Sequence, residues 1–243
     1  MVRVMFEPSR RVVSSQSDPH RDLARRVERA LSHPLRKPVA DHTRSAFSCA
    51  NAWRLQRPDA ALILDAGCGV GLSTRRLAQR FPDSLVIGVD RSADRLSREH
   101  GKLPENALLV RADLVDFWRL ALAEGWQPQR HYLLYPNPYP KPGHLKMRWQ
   151  GHPVFPAILA LGGRLELRSN WRLYVEEFAL ALRQATQLEA SVERYQPASA
   201  CPDDVGSDST CLSPFEEKYH RSGQPLWRLV TELPYRPGLL PVT

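Results

Sequence analysis

Short apolar runs alternate with amphipathic stretches along most of this chain. Ala61-Leu62-Ile63-Leu64, Leu85-Val86-Ile87-Gly88-Val89, Ala107-Leu108-Leu109-Val110, His131-Tyr132-Leu133-Leu134-Tyr135 and Leu165-Glu166-Leu167 are three to five residues long. That is the length of buried strands, not helices. Between them, Leu72–Phe81, Ser92–His100, Leu114–Glu124 and Trp171–Ala185 place apolar residues at helical intervals. Leu226–Leu233 predicts a last strand. Alternation of this kind predicts a doubly wound α/β sheet. Upstream, Ser17-Asp18-Pro19 has the form of an N-cap followed by Pro in the first turn, and predicts a basic helix to about Leu31. His33-Pro34 to Pro38 breaks it. Asp41 is expected to cap a second helix running to about Gln56, which Pro58-Asp59 ends. Residues 1–57 therefore read as a basic, mainly helical extension, and 58–243 as the sheet domain. Pro197 to Ser213 is polar and Asp/Ser-rich, and predicts a long loop.

Composition narrows the class. The 243 residues suffice for one large α/β domain with an extension. No apolar run reaches the ~18–20 residues of a membrane span. Val4-Met5-Phe6 is too short for a secretory core, and Glu7 and Asp18 are unlike a transit peptide. Cys49, Cys68, Cys201 and Cys211 have neither zinc-finger nor disulfide-framework spacing, and the eight histidines form no metal motif. A reducing cytoplasm and no metal are expected. The net charge is +8, and residues 1–57 carry +7 of it, with 12 Lys/Arg against 5 Asp/Glu. A basic arm on a charge-balanced domain suggests nucleic acid as a partner.

The first predicted strand ends in Asp65-Ala66-Gly67-Cys68-Gly69-Val70-Gly71, and a helix follows. Glycines here let a backbone approach a ligand, and the helix start offers unpaired N–H groups. The spacing is G-x-G-x-G, not the G-x-G-x-x-G of NAD-binding loops, so a NAD-dependent dehydrogenase is a poor fit. Asp90 closes the second strand and Asp113 follows the third. Acids at three successive strand ends suit S-adenosylmethionine: Asp65 near the methionine moiety, Asp90 on the ribose hydroxyls, Asp113 on the adenine amine. Each could instead simply cap the helix after it. Ala61 to Asp116 resembles the Rossmann-like half of class I S-adenosylmethionine-dependent methyltransferases.

After the fourth strand comes Tyr135-Pro136-Asn137-Pro138-Tyr139-Pro140-Lys141-Pro142-Gly143-His144-Leu145-Lys146-Met147-Arg148. Prolines should hold this loop extended, with Tyr139 available to stack on a base and Lys141, Lys146 and Arg148 to meet phosphates. Pro136, Pro138, Lys141, His144, Lys146 and Arg148 match the P-D-P-W-x-K-x-x-H-x-K-x-R motif of bacterial tRNA (guanine-N7)-methyltransferases, with Tyr139 in the Trp place. Ser169-Asn170-Trp171-Arg172-Leu173-Tyr174 resembles that family's T-D-W-x-x-Y. Ser213-Pro214-Phe215-Glu216, then His220-Arg221, Gly223 and Trp227, resembles its T-K-F-E and last strand. The likeness runs from about Ala61 to Leu233.

The resemblance implies an S-adenosylmethionine-dependent tRNA methyltransferase. Asp65, Gly67, Gly69, Gly71, Asp90 and Asp113 would hold the cofactor. Asn137 would lie between methyl donor and base, and Lys141, Asn170, Ser213, Pro214, Phe215 and Glu216 would contact the nucleotide. Asn137 and Asn170 stand where the family has Asp, which leaves Glu216 as the substrate-side carboxylate. Two alternatives therefore stay open. One is a methyltransferase acting on another base or a small molecule, since Asn137-Pro138-Tyr139 is one proline short of an N-P-P-Y tetrad. The other is a non-catalytic RNA- or S-adenosylmethionine-binding homologue.

Overall fold

The computed structural model describes residues 8–98, 100–197 and 211–239. Seven strands form one sheet in the order β3-β2-β1-β4-β5-β7-β6. They are β1 Leu62–Ala66, β2 Leu85–Asp90, β3 Ala107–Arg111, β4 Arg130–Leu134, β5 Gly163–Ser169, β6 Val192–Tyr195 and β7 Leu226–Leu233. β1 to β5 are mutually parallel, whereas β7 runs antiparallel to β5 and β6 to β7. The chain reverses direction across the sheet between β1 and β4, and ligands of such sheets sit at the carboxyl ends there.

The apolar runs form strands because both faces of the central strands are covered. Every residue of β1 and β2 is buried. Side chains alternate: Leu62, Leu64, Leu85, Ile87 and Val89 enter the larger core, whereas Ile63 and Val86 enter the smaller one on the other face. The helices on the larger-core face include α5 Leu114–Ala123, α6 Phe155–Ala160 and α7 Arg172–Thr186; α3 Leu72–Arg80 covers the smaller one. The N-terminal helices α1 Leu23–Ser32 and α2 Asp41–Arg54 are continuous with this packing. Leu23, Val27, Phe47 and Ala50 join the larger core, where Phe47, Phe117 and Trp126 form an aromatic cluster with centroids 5.1–5.6 Å apart.

Several local expectations shift. The first helix starts at Leu23, not after Ser17: Ser17 Oγ donates to Asp18 Oδ2, and the His20 N–H is taken by Glu177 of α7. Ala40, not Asp41, holds the cap position of α2, and its N–H donates to the buried Asp116. Asp41 instead occupies the first turn, where its charge complements the helix dipole. The helix expected over Ser92–His100 shortens to α4, Ala93–Leu96, which buries no side chain to stabilise a longer one. The proline-rich loop is not extended throughout: Pro142–Met147 and Trp149–Gly151 coil into 3₁₀ turns around buried Leu145. The short elements α6, β6 and α8, Pro214–Arg221, add to the predicted set. Of the polar loop from Pro197 to Ser213, residues 198–210 lie outside the described residues. Val4-Met5-Phe6 and Cys201 do too. No helix among the described residues is long and apolar enough to cross a membrane.

Candidate functional site

Parallel pairing brings the carboxyl ends of β1 to β5 to one rim. The antiparallel β7 begins at the same rim, because Trp227 pairs with Ser169. Asp65, Asp90, Asp113, Asn137, Asn170 and the start of α8 therefore share one edge of the sheet, although they come from segments scattered over the chain.

The glycine loop is built by amides turned toward β2. Gly67 N–H and Cys68 N–H both donate to Val89 O, at 2.8 and 3.1 Å, and Gly69 N–H donates to Asp90 Oδ2 at 3.0 Å. Gly69 and Gly71 have φ of +60° and +76°, a region that favours glycine. A Cβ on Gly71 would come 2.8 Å from the Leu109 side chain, whereas one on Gly69 would meet nothing within 4 Å. Gly71 is thus small for packing, while Gly69 faces open space.

Asp65 is buried at the foot of this loop. Its Oδ2 accepts from Ser73 Oγ at 2.6 Å and Thr74 Oγ1 at 2.7 Å, which ties β1 to the first turn of α3. Its Oδ1 has no hydrogen-bond partner among the described residues. Burial pushes the Asp65 carboxyl up to about 6, against the two hydroxyls, and nearby Asp90 adds to the rise. A buried carboxylate oxygen lacking a donor suits a cationic ligand. Asp90 accepts from Gly69 N–H and Ser92 N–H, with Arg95 at 3.8 Å. Asp113 accepts from Val115 N–H and caps α5. Capping and ligand contact are compatible, since each carboxylate has further lone pairs.

The loop after β4 is held from beneath. Tyr135 and Tyr139 have positive φ. Asn137 is exposed, and its Oδ1 accepts from Tyr139 N–H at 3.2 Å, an Asx turn that leaves its amide N–H groups toward solvent. Lys141 and Lys146 are exposed. Arg148 is not: it is fully buried, so the expected phosphate contact is replaced by an internal role. Its Nη1 donates to Glu177 Oε2 at 2.7 Å, its Nε and Nη2 donate to Tyr139 O, and Nη2 also reaches Gln16 Oε1. The guanidinium stacks over Trp171 at 4.8 Å. Tyr139 packs edge-on to His144 at 6.3 Å.

The expected substrate-side carboxylate differs likewise. Glu216 is fully buried and pairs with Arg168 at 2.7 Å, while Leu212 N–H and Tyr135 O–H also donate to it. Arg168 also pairs with Glu166 at 2.6 Å and stacks on Tyr195. Burial, followed by the Glu216 charge, pushes the Tyr135 phenol far above its ordinary range. Glu216 thus joins β4, β5 and α8 and does not face a base. Ser213 caps α8 by accepting Glu216 N–H; Pro214 and Phe215 are exposed, and Phe215 stacks on Tyr219. Asn170 donates to Gln224 Oε1 at 2.9 Å, and Gln224 donates onward to Ser9 O.

Sequence reasoning missed the residues that assemble this rim: Glu177, Gln224 and the N-terminal segment. From Ser9 to His20 that segment is pinned by Ser222 and Gln224, by Pro140 O through Ser14 Oγ, and by Glu177 through Gln16. Only Ser73 and Thr74 carried a signal, as hydroxyls in the first turn after a glycine loop.

Residues 59–229 match the family described as "Putative methyltransferase". The tRNA (guanine-N(7)-)-methyltransferase of Thiobacillus denitrificans is 27% identical over 175 residues, covering 69% of this chain and 73% of that protein. The protein of the same name from Cronobacter sakazakii is 26% identical over 180 residues, covering 71% and 72%. Among solved structures, an antibiotic-related methyltransferase superposes with a TM-score of 0.53 at 14% identity, covering 77% of this chain and 94% of that one. The 16S rRNA methyltransferase KamB gives 0.51 at 16%, covering 81% and 95%. These two structures share the fold.

Proposed function

We propose that this chain, which belongs to the methyltransferase family matched over residues 59–229, moves a methyl group from S-adenosylmethionine to N7 of a guanine in tRNA. The observation that carries the reading is the likeness to curated proteins of that name across 69–71% of the chain. The rim is consistent with it: among the described residues, Asp65 Oδ1 lacks a donor and the surface at Gly69 is open.

When bound, S-adenosylmethionine supplies an electrophilic methyl on a sulfonium. Asp65 holds the cationic methionine end, Gly67, Gly69 and Gly71 let the backbone come close, and Asp90 and Asp113 hold ribose and adenine. Guanine N7 is a lone-pair nucleophile, so the protein has no proton to remove. Its work is to align the base and exclude water. Asn137, on the loop fixed by Arg148, would lie between donor and base; Lys141 would meet a phosphate, and Asn170 and the Ser213–Glu216 segment would shape the nucleotide's place. The methylated ring is cationic. Neutral Asn137 and Asn170 offer it hydrogen bonds without negative charge, and the Glu216 carboxylate is buried against Arg168. Each charged hydrogen bond forgone costs on the order of 1.5–3 kcal/mol, so a modest turnover is expected.

The test is nucleoside mass spectrometry of bulk tRNA from cells with and without the gene. Loss of 7-methylguanosine from the deletion strain supports the reading. A full complement of 7-methylguanosine there, together with loss of a different methylated nucleoside, refutes it.

A further inference from the structure

Outside the residues that match the family, α1 has two faces. Leu23, Val27 and Ala30 are buried. On another side, Arg25, Arg26, Arg29 and His33 line a cleft of about 530 Å³, floored by Ala30, Pro34 and Leu35 and walled by Gly151 and Pro153. Arg25 has a carboxylate partner, Asp22, at 3.1 Å on the surface. Arg26 and Arg29 have no acidic partner within 4.0 Å among the described residues, and Arg26 is only half exposed. Guanidinium groups lining a concave surface without a carboxylate leave planar donor forks available to an anion.

The cleft adjoins the rim. Its Gly151–Pro153 wall continues the chain from the Lys141–Arg148 loop. Between those two residues, His152 lies close enough to feel the charges of Asp113, Lys37 and Arg26, while burial, the largest influence, holds its pKa down. Arg26 and Arg29 are three residues apart on α1, ~4.5 Å along the axis and on neighbouring positions of one helix face, so both guanidinium groups can serve one stretch of phosphate backbone. Lys141 and Lys146 are exposed on the same loop.

We infer that the Arg26–Arg29 cleft of α1 is a phosphate-binding subsite that holds the RNA backbone beside the methyl-transfer rim. The inference rests on the tRNA reading for the identity of the polyanion, but its chemistry needs only repeated phosphates. An arginine cleft removed from the reacting atoms raises occupancy without touching the chemical step, so it acts on tRNA affinity and KM and leaves kcat unchanged.

The test uses the full chain and an unmodified tRNA transcript, with binding measured over a range of salt concentrations. Arg26→Gln/Arg29→Gln should weaken tRNA binding by roughly ten- to a hundredfold and make the log–log salt dependence shallower by about 1.5. Arg26→Lys/Arg29→Lys should keep most of the affinity and the slope. S-adenosylmethionine affinity, Tm and kcat at saturating tRNA should match wild type in both. Wild-type tRNA affinity and slope in the Gln variant would overturn the inference. So would a wild-type chain that does not bind tRNA, or a Gln and Lys pair equally weakened with lowered Tm, which marks a structural role. If the arginines prove to hold tRNA but no 7-methylguanosine forms, the functional reading fails and the cleft stands. If the product forms and the Gln variant keeps its KM, the cleft alone fails.

Discussion

Arg148 separates two accounts of one motif. As a phosphate contact it would be dispensable for folding; as the structure has it, both it and Glu177 are fully buried and 2.7 Å apart. Arg148→Met removes the guanidinium and keeps much of the volume. Glu177 then retains three donors, Gln16 Nε2, His20 N–H and Gln150 Nε2, so the loss should fall near the low end of the range for a broken buried pair, about 3 kcal/mol. Glu177→Gln leaves the guanidinium buried with only neutral acceptors, Tyr139 O and Gln16 Oε1, and should cost about 4–5 kcal/mol. At roughly 2–4 °C per kcal/mol for a chain of this size, Tm should fall by about 6–12 °C and 8–20 °C respectively. The double variant should lose less than the sum, because the two share one interaction. Urea and thermal unfolding, with tRNA binding by the folded fraction, give the readout. An Arg148→Met protein with unchanged Tm, weakened tRNA affinity and a shallower salt slope would refute this reasoning and restore the phosphate contact.

Other expectations follow from the same geometry. Glu216→Gln should destabilise the fold by about 2–3 kcal/mol, with Glu166 still holding Arg168, and chemical denaturation will show it. Gly71→Ala should lower Tm by more than Gly69→Ala, because only Gly71 meets Leu109, while Gly69→Ala should mainly weaken S-adenosylmethionine binding in calorimetry. Asp65 should give that binding a pH dependence. Its carboxyl is pushed up to about 6 in the folded chain, from an ordinary value of 3.8, and a cation favours the ionised form. Affinity should therefore rise as pH increases through about 6 and level off above it, and Asp65→Asn should flatten the profile. Stability of the ligand-free protein runs the other way. The folded state holds this proton more tightly than the unfolded one, so Asp65's contribution is fully present below pH 3.8 and is lost as pH rises through about 6.

What the sequence made legible was local. Leu62–Ala66 and Leu85–Asp90 announce themselves because strands buried on both faces are continuous apolar runs, and the glycine loop is contiguous. Asp65, Asp90 and Asp113 could be placed at one rim because a parallel sheet puts every strand end on the same side. The roles of Arg148 and Glu216 were not legible. Each sits in a motif position that suggests substrate, and each is neutralised by a residue far along the chain: Glu177 lies 29 residues from Arg148, and Arg168 lies 48 from Glu216. Residue type and spacing cannot reveal such a partner. Asn170 is similar, because its match is Gln224, 54 residues on. An amide facing an amide there suits Asn, whereas Asp would set two acceptor oxygens against each other. The departure from Asp at that position therefore has a structural counterpart in this chain. The segment from Ser9 to His20 had no periodicity to read, since single hydrogen bonds to distant elements hold it.

The central claim is methyl transfer to guanine N7 of tRNA by this chain. Purified protein, S-adenosylmethionine and an unmodified tRNA transcript, followed by nuclease digestion and mass spectrometry of the nucleosides, test it most directly. The account predicts 7-methylguanosine at one position, formed more slowly than charge-stabilised transfer would allow and absent when Asp65 and Gly69 are both substituted. A methyl group on an exocyclic amine, or no methylated nucleoside from a folded protein that binds both ligands, would contradict it.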